Sequence, residues 1–178
     1  MWTSIALYAS MLAVSAYSVA SGLKKRGLES ILRGFGFSKK VNFFKEFSYG
    51  LMFGAGMVVL SFAIMLAFVA AGGGADASAV SNIISQINFM EVLIVVIIGS
   101  IVEELFFRGY LQTKTNILFS SFIFAYYHII YGSFSEIMVA FVMGMMLGYL
   151  FRMRKDLIAP ITAHLFFNLV NLAIVFGV

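Results

Sequence analysis

Two adjacent glutamates and an arginine, Glu103, Glu104 and Arg108, close a run from Val92 to Val102 that contains no ionisable residue. A charged side chain in hydrocarbon costs about 3 kcal/mol or more, so such residues face a protein interior or a water-filled cavity and mark function. On an α-helix Glu104 and Arg108, four residues apart, stack on one face, where a charge-assisted pair can form. Glu103 lies about 100° round the helix, so this arginine does not neutralise it directly. The spacing predicts one structural carboxylate, Glu104, and one available for chemistry, Glu103.

The run belongs to a membrane protein. Of 178 residues, 62% are hydrophobic and 11% charged, against roughly half and a quarter in a soluble domain. Glycines for close helix contact are plentiful, 16 against a single proline. The absence of cysteine excludes disulfides, thiolate metal sites and a cysteine nucleophile. The basic residues fall in three loops: Lys24, Lys25, Arg26, Arg33, Lys39, Lys40 and Lys45; then Arg108 and Lys114; then Arg152, Arg154 and Lys155. No Lys or Arg occurs from Ala71 to Glu91 or from Ile130 to Glu136. The positive-inside rule therefore puts the three basic groups in the cytoplasm and both termini outside, with nucleic-acid binding the weaker reading of the charge.

Hydropathy and punctuation predict an all-α, polytopic transmembrane helical bundle of about six spans in a single integral membrane domain, 1–178. Two spans fall in residues 1–90: Trp2 to Ala20, read as a retained first helix because its charge follows the apolar run, and Phe47 to Ala71. The loop between them, Gly22 to Glu46, could carry a short amphipathic piece around Leu28 to Phe37. Gly72-Gly73-Gly74 breaks the second helix, and Asp76 to Asn88 reads as the longest outer loop. Residues 91–178 then hold Glu91 to Arg108, a turn from Gly109 to Asn116, a short span Ile117 to Tyr131, a span Glu136 to Phe151, and a last span capped by Asp156 with Pro160 in its first turn. Gly50 and Gly54, like Gly144 and Gly148, have small-xxx-small spacing, for which intramolecular packing is the favoured reading. With the glutamate pair near the cytoplasmic end of its span, His128 needs a tilt or an earlier helix start to reach the depth of Glu103.

The two histidines both lie in spans. His128 follows Phe124 by four residues, and His164 precedes Asn168 by four, so each pair shares a helix face. Converging in one polar cavity that opens to the cytoplasm, Glu103, His128, His164 and Asn168 suit hydrolysis by activated water. A carboxylate with a neighbouring imidazole takes a proton from water and returns it to a leaving amine. Imidazole and amide N–H groups stabilise a tetrahedral oxyanion.

The ordered set Glu103-Glu104-x-x-x-Arg108, Phe124-x-x-x-His128 and His164-x-x-x-Asn168 resembles the CAAX protease and bacteriocin-processing family of intramembrane proteases, which includes the Ras-converting endopeptidases. Each motif alone is weak; the three together are specific and cover about half the chain. The resemblance implies a four-helix catalytic core and peptide-bond cleavage near the cytoplasmic membrane face. It implies Glu103 as the base that activates water, aided by His128; Glu104 with Arg108 in support; and His164 with Asn168 as the oxyanion hole. The implied partners are the bilayer and a peptide or membrane-protein substrate, lipidated or not.

Glu103 with the two histidines is also a zinc-compatible donor set. No close zinc-protease spacing such as H-E-x-x-H occurs, and the resemblance to the Ras-converting branch favours a metal-free mechanism without cofactor. Two rival readings are a non-catalytic scaffold or bacteriocin immunity protein retaining the fold, and a proton or ion carrier. The completeness of this costly polar set argues against the first, and the dry outer halves of the spans against the second.

Overall fold

Side-chain caps set most helix boundaries in the computed structural model, which describes residues 8–17, 36–37, 41–73 and 79–178. Helix α1 covers residues 8–17. Asn42 opens α2, Phe43–Ala70, by accepting from the backbone N–H of Lys45 at 3.2 Å, and the chain leaves that helix through Gly72 at φ +96°. A left-handed backbone favours glycine, so the predicted break falls where expected. After the short α3, Ala79–Ile84, Asn88 caps α4, Phe89–Glu104, through Met90 N at 2.9 Å.

The α4 rod does not end at Glu104. It continues as a π-helical segment, Leu105–Leu111, and a last turn, Gln112–Lys114. Asn116 then caps α5, Ile117–Tyr127, through Phe119 N at 2.9 Å, and a 3₁₀ turn, His128–Tyr131, follows. Ser133 caps α6, Phe134–Arg154; the N-cap of α7, Ile158–Phe176, is Leu157 and not the expected Asp156, whose carboxylate accepts from Ile158 N at 2.8 Å one residue earlier, and Pro160 lies in the first turn as expected.

All regular structure among the described residues is helical, and α2, α6 and α7 are each long and apolar enough to cross a membrane. The first span is described only over residues 8–17, and the expected amphipathic piece lies, apart from Gly36 and Phe37, outside the described residues. Three expectations are corrected. The stretch Asp76 to Asn88 is not all loop, because it contains α3. The predicted turn Gly109 to Asn116 shrinks to Thr115 and Asn116, because π-helical bonding carries the α4 rod onward. Arg108 is consequently not a loop cation: it is 1% exposed, inside the bundle.

That longer rod also accounts for the depths of His128 and Glu103. Glu103 lies eleven residues before Lys114 (114 − 103), and His128 eleven after Ile117 (128 − 117), so an antiparallel hairpin brings them to one depth without an earlier start to α5. At 1.5 Å per residue each sits roughly 16 Å from the turn, deeper than a site at the end of a span.

The bundle closes through its glycines. A Cβ on Gly50 would fall 2.5 Å from Thr162 Cβ and 2.7 Å from the Ala159 carbonyl, and one on Gly54 would fall 2.9 Å from the Ala163 carbonyl. Both small-xxx-small pairs pack within the molecule: Gly50 and Gly54 seat α2 on α7, while Gly144 and Gly148 bring α6 against α5 and the end of the α4 rod. Met57, Met143, Leu147, Leu150, Ala159 and Ala163 form one core between α2, α6 and α7. A second core joins Met11 of α1 to Val102, Phe107, Phe124, Ala125 and Ala140. At the basic end, Arg154 grips Glu46 through two nitrogens and lies 4.1 Å from the Tyr49 ring.

Gly50→Ala should therefore destabilise by about 1–3 kcal/mol through overpacking. Gly56 has open space at its Cβ position and is exposed, so Gly56→Ala should hold or raise stability by up to about 1 kcal/mol. Thermal unfolding of the two variants in one detergent checks the contrast.

Candidate active site

Burying Arg108 requires neutralisation, and three elements supply it. Its Nη1 lies 3.2 Å from Glu104 Oε1 in the expected pair four residues back, and its Nη2 donates to the Gly144 carbonyl of α6 at 3.1 Å. Its guanidinium carbon stands 4.7 Å from the Phe124 ring centroid, a cation–π contact from α5. Glu104, fully buried, also meets His164 of α7: Glu104 Oε1 lies 2.8 Å from His164 Nδ1. Facing a carboxylate paired with arginine, Nδ1 carries the proton and donates. The neutral ring then keeps its lone pair on Nε2, and only the imidazolium donates from both nitrogens.

His164 Nε2 points the other way, 3.9 Å from Glu103 Oε2. Glu103 and Glu104 thus flank one imidazole, Glu104 as its anchor and Glu103 as its outer neighbour. Glu103 is less buried, with 16% of its side chain exposed, and the Tyr8 hydroxyl of α1 donates to its Oε1 at 3.2 Å. The ion pair of Arg108 is with Glu104, while the ion-pair contact of Glu103 is with His164.

His128 is held by its own helix. Its Nδ1 lies 2.9 Å from the Phe124 carbonyl oxygen, which can only accept, so Nδ1 bears the proton and a neutral ring leaves Nε2 free. The Phe124 ring sits 4.7 Å from His128 and 5.8 Å from His164. One phenylalanine therefore fixes the first histidine with its backbone and spaces both with its ring. Asn168 donates from Nδ2 to Ser100 Oγ at 3.1 Å, which leaves its second N–H for another acceptor.

A cavity of about 30 Å³ adjoins this group, room for a water molecule. Its polar wall is His128, His164, Asn168 and Glu136, and the rest is apolar side chain from α2, α5, α6 and α7. The expectation of one polar cavity shared by Glu103, His128, His164 and Asn168 is corrected. Glu103 is not on its wall and adjoins it at His164, while Glu136 from the first turn of α6 takes a place there. No group of three His, Asp or Glu side chains converges as a metal site among the described residues.

The order of these groups along the chain coincides with a known sequence family. Residues 85–170 match the family of Rce1-like proteins, the type II CAAX prenyl endopeptidases. Over those residues, just under half of the chain, it is similar to the CAAX protease family. No curated protein and no solved structure matches it. The matched segment contains Glu103, Glu104, Arg108, His128, His164 and Asn168.

Sequence reasoning missed Tyr8, Ser100 and Glu136. Ser100 precedes Glu104 by four residues, so helix spacing could have placed it on the same face. Glu136 was legible as an intramembrane acid but served only to mark the start of a span. Tyr8 carried no signal, because its contact with Glu103 spans 95 residues.

Removing one member of a buried ion pair leaves the other uncompensated, at about 3–5 kcal/mol. Arg108→Met should destabilise by that amount, and Glu104→Gln combined with Arg108→Met should recover most of the loss. Unfolding midpoints of the single and double variants check the non-additivity.

Proposed function

We propose that this chain is an intramembrane endopeptidase of the CAAX protease family in which Glu103 is the general base. The observation that carries the reading is Glu103 Oε2 at 3.9 Å from His164 Nε2, with His164 anchored by Glu104 beside a water-sized cavity. Glu103 takes a proton from water, aided by His128, and the hydroxide attacks the scissile carbonyl carbon. The oxyanion is held by N–H groups of the His164 imidazolium and Asn168. Collapse of the intermediate breaks the C–N bond, and Glu103 returns the proton to the leaving amine. Glu104 and Arg108 support the site by holding His164.

The scheme uses no metal and no cofactor. Its substrate class is a peptide presented in the bilayer, with a prenylated C-terminal motif as the form that the family description favours. The same reading takes 1–178 as one integral domain of about six spans around a four-helix core in the cell membrane. Its basic loops lie on the cytoplasmic side and both termini outside, by the positive-inside rule.

Protein reconstituted in lipid nanodiscs, given a farnesylated peptide ending in a CAAX sequence, should release the C-terminal tripeptide, read by mass spectrometry. Glu103→Gln should lower the rate by about 10²-fold or more, His128→Ala by a comparable factor, and a chelator should change nothing. No release from wild type above the Glu103→Gln background, with or without the farnesyl group, would overturn the reading.

A further inference from the structure

We infer that Tyr8 is a positioning residue for Glu103, holding Oε1 so that Oε2 is the oxygen presented to His164 and to the attacking water. The inference rests on the endopeptidase reading but adds a contact from α1, which lies outside the family-matched segment 85–170.

Glu103 has two chemically equivalent oxygens, and the structure makes them different. Oε1 accepts from the Tyr8 hydroxyl at 3.2 Å, and Oε2 is the atom 3.9 Å from His164 Nε2. A carboxylate hung on a flexible side chain and holding only one of these contacts could rotate about its last torsion and exchange them. A phenol donor on one oxygen removes that freedom.

Gly99 shows that room is made for this phenol. It lies four residues before Glu103, inside α4, where glycine costs about 1 kcal/mol relative to alanine. A Cβ there would fall 2.5 Å from Tyr8 Oη and 2.9 Å from Tyr8 Cζ. The missing side chain is the space that the phenol occupies. Three residues on in α1, Met11 is 3% exposed in the core that includes Val102 and Phe107, so the helix bearing Tyr8 is anchored on both sides of the glutamate pair. Tyr8 itself is half-buried, its ring against the bundle and its hydroxyl at the carboxylate.

The test uses the full chain in nanodiscs with the farnesylated peptide as probe. Tyr8→Phe keeps the ring and deletes the donor, and should lower kcat about tenfold with KM unchanged. Gly99→Ala, which drives the ring away, should cause a similar kcat loss in the wild-type background and no further loss in Tyr8→Phe. A Tyr8→Phe kcat within twofold of wild type, or additive losses, would overturn the inference. Should wild type fail to cleave while matching Glu103→Gln, the endopeptidase reading fails by itself. The contact is then decided on the cysteine-free background by Tyr8→Cys with Gly99→Cys and a short bis-methanethiosulfonate linker. Cross-linking supports the docked α1, and its absence overturns it.

Discussion

An arginine buried to 1% exposure inside a membrane bundle is the constraint on which the rest of this structure depends. Lipid offers no counter-ion and no water, so every compensating group must come from the chain. Arg108 draws them from its own helix, from the Gly144 carbonyl and from the Phe124 ring, which fixes α4, α5 and α6 around one cation. Glu104 then passes the constraint to α7 through His164. The hydrogen bonding that serves stability is the same bonding that orients the imidazole. Glu104 Oε2 and Arg108 Nε and Nη1 nevertheless have no hydrogen-bond partner among the described residues, so the cluster is held short of full satisfaction.

Helices α1 and α2 lie outside the family-matched segment, yet both bear on the site. Helix α2 sets the seat of α7 through Gly50 and Gly54, whose Cβ positions are already filled by Thr162 and by the carbonyls of Ala159 and Ala163. His164 follows Ala163 directly, so the contact that packs the helices also fixes the height of the histidine. In lipid, where apolar burial does not drive helices together, such backbone proximity is a principal source of association. Met57 of α2 also reaches the cavity wall beside the two histidines.

Much of this was legible in the sequence because intramembrane polar residues are costly and therefore informative. The pairing of Glu104 with Arg108 and the intramolecular use of both glycine pairs followed from helix spacing. What was hidden came from backbone geometry and long-range contact. Nothing in Leu105 to Leu111 announces i→i+5 bonding, and treating Arg108 as a loop cation shortened the α4 rod by a turn and a half. That single error made the depths of Glu103 and His128 look mismatched. The places of Tyr8 and Glu136 depend on how separate helices lean together, which periodicity does not encode.

The spacing of Glu104 and Arg108 also bears on how such a chain is made. Synthesis runs from the N-terminus, so Arg108 reaches the bilayer while Gly144 and His164 are still untranslated. A lone arginine at mid-helix costs about 3 kcal/mol to insert. Glu104, emerging four residues earlier on the same helix, is the ion-pair partner already present. The pair that anchors His164 in the finished bundle is thus a self-neutralised unit at the ribosome, and the nascent helix can partition into lipid before the rest of its site exists.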